Sequence, residues 1–205
     1  VASRQLRWGK IGSARALATL AVVLRPIPAQ RRFRRSVDVS WRLARGEEVD
    51  LERALDDLGR MSVSERDAHR LAFLSWTNDF AAMRQLVDVQ AVRQLAMNAG
   101  MAAIVTTVLG ETGSDGELLE HERRLGELPA MAGRQIDASW ALVTMASYLG
   151  ASDQVDAEVA GLRHEVPPDR VAFVRATALQ RAGRSEEAAA LLKEAVAVSG
   201  LTSAS

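Results

Sequence analysis

Residues 171–196 read VAFVRATALQRAGRSEEAAALLKEAV, and this stretch decides how the chain is to be read. Its apolar residues recur at helical spacing on both sides of Gly183, so it predicts two amphipathic helices joined by a glycine-centred turn. Counting from Gly183, Ala188, Leu192 and Ala195 stand at +5, +9 and +12, and Ala176 at −7. Small residues at −7 and +5 let antiparallel helices approach closely, with Leu179 and Leu192 expected to fill the seam.

Working outward, the same turn recurs. Gly9, Gly46, Asn78, Gly113, Gly150 and Gly183 are separated by 37, 32, 35, 37 and 33 residues. After Gly9 the residues Ile11, Ala14, Ala18, Ala21 and Pro26 repeat the second-helix pattern, and after Gly46 so do Leu51, Leu55 and Leu58. A helix over 29–45 places Phe33, Val37, Trp41 and Ala44 on one stripe, with Pro28 in its first turn. Ser62 and Glu65 predict a capping box ahead of a helix to about Trp76. Asn78 and Asp79 replace the turn glycine, and Phe80, Met83 and Val87 face inward beyond it. A helix over 92–109 should end at Gly110-Glu111-Thr112-Gly113, with Ser114 and Glu117 as a second capping box and Leu118, Leu125 and Leu128 continuing the stripe. Ile136, Trp140, Val143 and Ser147 lead to the turn at 150–153, and Val155, Val159 and Leu162 follow it.

A period near 34 with this helix–turn–helix content is that of tetratricopeptide repeats. The expected fold class is therefore all-α, a right-handed solenoid of antiparallel helical hairpins with degenerate repeats. It would form a single helical-repeat domain over 1–200 with a frayed tail over 201–205. An irregular helical bundle is the alternative. Only eight residues precede Gly9, too few for a first helix, so the chain reads as a fragment of something longer or as a clipped first hairpin.

Composition restricts function more than it defines it. Lys plus Arg number 26 and Asp plus Glu 26, so no global charge calls for nucleic acid. There is no cysteine, hence no disulfide framework or thiolate chemistry. The apolar runs 16–24 and 95–109 fall short of the roughly 20 residues a membrane span needs. His69, His121 and His164 lie in different repeats, without a second ligand at metal-binding spacing. The Gly-rich 110–116 loop lacks the Lys-Ser/Thr of a phosphate loop and reads as a helix–helix turn. Ser152 has no base at hand and reads as a helix cap. Trp8, Trp41, Trp76 and Trp140 each fall before a turn, which argues for packing. No catalytic residue, cofactor or metal site is expected.

The first 45 residues hold eleven basic residues against one acid, Asp38. On the 29–45 helix Arg31, Arg35, Arg42 and Arg45 share a face opposite the Phe33–Trp41 stripe. They are the candidate surface for an acidic protein partner or an anionic membrane. Read as an ordinary solvated face, Arg35 and Arg42 would be neutralised by Asp38 and by the acids of 47–57.

Four stretches, Leu24-Arg25-Pro26-Ile27-Pro28, residues 70–80 (RLAFLSWTNDF), Leu109-Gly110-Glu111-Thr112-Gly113 and residues 173–183 (FVRATALQRAG), occur in an order that resembles the soluble helical-repeat domain fused to some bacterial rhomboid-family intramembrane serine proteases. In that family a serine in a Gly-x-Ser-Gly motif and a histidine, both on transmembrane helices, carry catalysis. This chain has no such motif, and Ser152 is followed by Asp153. The resemblance implies a cytosolic, non-catalytic accessory or regulatory module at the inner face of the membrane. The alternative is a free-standing adaptor that grips a peptide or partner helix on the concave face lined by first helices.

Overall fold

The computed structural model describes residues 11–88, 101–113, 115–126, 135–162, 166 and 168–202. Among these, all regular structure is α-helical. The helices are α1 (Ile11–Leu24), α2 (Pro28–Ala44), α3 (Leu51–Asp57), α4 (Val63–Leu74), α5 (Phe80–Val87), α6 (Ala102–Thr112), α7 (Asp115–Gly126), α8 (Gln135–Tyr148), α9 (Ser152–Leu162), α10 (Pro168–Arg181) and α11 (Ser185–Thr202). The all-α class follows directly. The chain divides into two compact units, Val1–Ala96 and Met97–Ser205, described in turn.

Local chemistry sets the helix ends. Pro28 opens α2, where its missing N–H would have no partner anyway. The Asp50 carboxylate accepts from the Arg53 amide at the start of α3, and Asp79 accepts from Ala82 at the start of α5. At α4 the expected capping box is present. Ser62 Oγ accepts from the Glu65 amide at 3.2 Å, while Glu65 Oε2 accepts from the Ser62 amide at 2.8 Å. The turn anchors Gly46, Asn78, Gly150 and Gly183 have φ of 72°, 55°, 74° and 80°. That left-handed conformation is open to glycine and tolerated by asparagine, which is why those residue types mark the turns. Gly113 differs: its φ is −99°. Gly9 and Ser114 lie outside the described residues.

In the first unit α1 packs on α2, α2 on α4, α3 on α4, and α4 on α5. Helix α2 faces two cores. One holds Ala14, Ala18 and Val37 with Phe33 beside them, and the other Leu43, Leu55, Leu58 and Phe73 with Val39, Met61 and Trp76. The expected single stripe on this helix is thus half of the answer: Leu43 turns inward and Ala44 is exposed. A helix packed between neighbours needs apolar residues on two sides, and a one-stripe count misses the second.

In the second unit α6 packs on α8 and α8 on α10. Each also packs on the helix that follows it (α7, α9, α11), and α7 and α9 pack in turn on α8 and α10. The residue five places after each anchor is at the seam: Met83, Leu118, Val155 and Ala188 are buried, as is Ala14, and Leu51 is half-buried. Ala176, seven before Gly183, is buried as expected. Leu192 is not the seam residue expected. It is 41 % exposed, and Leu191 beside it is the half-buried one.

Two further expectations shift. Helix α6 does not end at Leu109 but runs through Gly110 to Thr112; the 92–100 part of that predicted helix lies outside the described residues. A helical glycine costs only about 1 kcal/mol relative to alanine, and here packing decides. Trp140 lies in the first half of α8 and is buried, rather than standing before the turn, while Trp8 is outside the described residues. Helix α11 continues to Thr202.

Candidate functional site

The basic face of α2 is largely turned to work within the fold. Arg32 donates from Nε to the Leu58 carbonyl and from Nη2 to the Arg60 carbonyl, each at 3.1 Å. Arg35 donates from Nη1 to the Asp57 carbonyl at 2.5 Å. The Asp57 and Leu58 carbonyls belong to the end of the short helix α3, where unpaired acceptors and the helix dipole both attract a cation, and the Arg60 carbonyl lies just beyond it. Arg42 pairs with Glu47 at 3.2 Å and reaches the Glu48 carbonyl, and Arg45 stands 3.5 Å from Glu47. Asp38 is occupied by Arg15 at 2.6 Å and Arg34 at 3.6 Å, not by Arg35 or Arg42. Of the four residues singled out, only Arg31 is exposed with neither an ion pair nor a side-chain hydrogen bond among the described residues.

Trp41 anchors this region by its ring. The guanidiniums of Arg15 and Arg45 sit 5.7 and 5.8 Å from the ring centroid, within cation–π range. Gly12 lies under the ring, where an added Cβ would be 3.4 Å from it.

On α3 and α4 a second cluster forms from Glu52, Asp56, Arg66, Asp67 and Arg70. The Arg66 and Arg70 hydrogen bonds hold the Glu52 carboxyl below its usual range. Glu52 and Asp56 are exposed while Arg66, Asp67 and Arg70 are half-buried, so the cluster is a modest electrostatic tie between two helices. His69 beside it is half-buried, and burial followed by the Arg32 charge lowers its pKa.

The second unit holds a constellation that the sequence reading passed over. Tyr148 is buried, and its hydroxyl donates to Glu111 Oε1 at 2.7 Å. The Arg181 guanidinium lies 5.6 Å from the Tyr148 ring centroid and donates from Nη2 to the Gly110 carbonyl at 2.9 Å. Gly110 admits the arrangement, because a Cβ there would overlap the Tyr148 ring. Burial first, then the Glu111 bond and charge, push the Tyr148 pKa far up, with Arg181 opposing. The phenol therefore keeps its proton and serves as the donor to Glu111. One signal was readable in advance. Glu111, Tyr148 and Arg181 each stand two residues before a turn anchor, so equivalent positions of three successive first helices form one row.

Among the described residues no group of three or more His, Cys, Asp or Glu side chains could hold a metal ion, and no helix is long and apolar enough to cross a membrane. His121 is buried on α7; His164 lies outside the described residues. No protein-family model, curated protein or solved structure matches this chain.

Proposed function

We propose that the chain is a tetratricopeptide-like helical-repeat module, non-catalytic, that binds a protein or peptide partner as part of a larger membrane-associated protein. The observation that carries this reading is the packing order of the second unit, first helix on first helix with the second helices α7 and α9 each wedged between two of them. Such stacking is how short repeats bury a core, and it leaves a run of first-helix side chains as a recognition surface. On α10 that run is open. Phe173 is 49 % exposed, and Gln180 and Arg181 are exposed beyond it. On α8 the equivalent Trp140 and Ser147 are buried, so the open part of the surface is the α10 side. A right-handed array running through both units, and a place at the inner face of a membrane like that of the rhomboid-fused domains it resembles, belong to the same proposal. Arg31, Arg35, Arg42 and Arg45 remain its candidate contact for an acidic partner or an anionic membrane.

A displayed peptide library panned on the protein tests it. Enriched peptides should lose roughly tenfold or more in affinity with Phe173→Asp, the scale of one large apolar anchor. They should keep affinity with Ala157→Asp on the exposed side of α9. If no peptide is enriched, or enrichment ignores Phe173 and the α2 arginines alike, the binding role falls. Peptide binding without any vesicle binding would favour the adaptor with no membrane link.

A further inference from the structure

Helix α1 shows solvent a longer aliphatic stripe than the other second helices, of which α7 exposes Leu119 and α11 Leu192 and Val196. Seven residues after the turn anchor, Arg53, Gln85, Glu120, Ala157 and Ala190 are all exposed; eleven after, Asp57, Gly161 and Glu194 are exposed. On α1 the corresponding residues are Ala16 and Leu20, and the stripe continues through Val23 and Leu24 into Ile27. Leu20, Val23, Leu24 and Ile27 are 53, 73, 75 and 38 % exposed. A neighbouring hairpin covers the +5 and +9 side of a second helix, where Ala14 and Ala18 are already buried. The exposed stripe is therefore on the outward side of the repeat, where polar or small residues stand at the equivalent positions elsewhere. It is bracketed by Arg25 and Arg31, both exposed and neither with an acidic partner among the described residues.

We propose that this elbow between α1 and α2 docks on an anionic bilayer surface. Leu20, Val23, Leu24 and Ile27 enter the boundary between headgroups and acyl chains, and Arg25 and Arg31 meet lipid phosphates. Aliphatic tips beside unengaged arginines match the two components of interfacial binding, apolar area and attraction to anionic lipid. The inference rests on the membrane-associated part of the proposed function, and it moves the contact away from Arg35 and Arg42, whose guanidiniums are engaged with Asp57, Glu47 and Glu48.

Because the chain has no cysteine, single probes can be placed cleanly. Leu24→Cys carrying an environment-sensitive fluorophore should shift to the blue with phosphatidylglycerol vesicles and not with phosphatidylcholine. The same label at Glu194→Cys, an outward position on α11, should not shift. In co-sedimentation, Val23→Asp with Leu24→Asp should abolish binding, and Arg25→Gln and Arg31→Gln should each weaken it roughly fivefold, with unchanged melting. If Arg35→Glu with Arg42→Glu removes vesicle binding while the elbow variants do not, the elbow is overturned and a membrane contact elsewhere on α2 stands. If no vesicle is bound at low salt, both membrane readings fall, and the peptide selection above is unaffected. Self-association abolished by Val23→Asp with Leu24→Asp, without vesicle binding, would overturn the elbow in favour of a second copy.

Discussion

At the α10–α11 pair, Ala176 and Ala188 are both buried, and small side chains on both helices let the backbones come close. At the α6–α8 pair the solution is lopsided. Gly110 supplies no side chain at all, and the full ring of Tyr148 occupies the space. The first arrangement is a general property of close helix pairs. The second depends on one particular ring facing one particular backbone, and is then tied at both ends by Glu111 and Arg181. A small residue at a crossing is thus two different constraints, depending on whether the opposite surface can withdraw.

The sharpest way to break this comparison is Gly110→Val. A β-branched side chain driven into a buried ring should lower stability by about 3 kcal/mol or more, read by chemical denaturation. Tyr148→Ala in the same background should recover part of the loss, giving a non-additive double-mutant cycle. If Gly110→Val melts like the parent protein, the ring contact does not constrain the helix. At the other pair Ala188→Trp should cost about 1–3 kcal/mol. Arg184→Ala, whose side chain pairs with Glu187 in solvent, should stay within about 0.5 kcal/mol. Equal melting temperatures for those two would show that the α10–α11 register is misread.

A smaller effect is expected in the first unit, where a charged side chain closes the end of α3. Arg32→Met removes two hydrogen bonds to carbonyls, and about 1 kcal/mol should be lost. Hydrogen exchange should show the loosening around the α3–α4 connection; a change spread evenly over the unit would argue against a local cap.

The smallest expected effect is a pH dependence from His69, since burial holds its pKa below the usual 6.5. The folded protein then binds fewer protons than the unfolded chain below that value, so stability is full above about 6.5 and declines as pH falls. His69→Gln should flatten that decline in denaturation series just below pH 6.5, and an unchanged slope would assign it to other groups.

Much of this fold was legible because the decisive signals are local. A turn anchor, a cap such as Ser62 with Glu65, and an apolar residue five places on need only a short window to be read. Gly113 misled because a glycine permits a left-handed turn without requiring one. The partners of the α2 arginines were legible only in part. Asp38 and the acids of 47–57 could be counted, but that Arg35 would reach the backbone of Asp57 depends on where α3 ends in space. The Tyr148 row was hidden for a related reason: its hydrogen bonds span 37 and 71 residues and form only when three hairpins are stacked.

That separation has a consequence for the order of folding. Adjacent helices of the second unit can pair early, since little chain must be closed to bring them together. The Arg181 to Gly110 bond spans 71 residues and links helices that are not consecutive first helices, so it can form only after α8 is in place. An interaction made that late is expected on the native side of the folding barrier. It would then slow unfolding without speeding folding, so Arg181→Met should raise the unfolding rate and leave the refolding rate unchanged in stopped-flow denaturation.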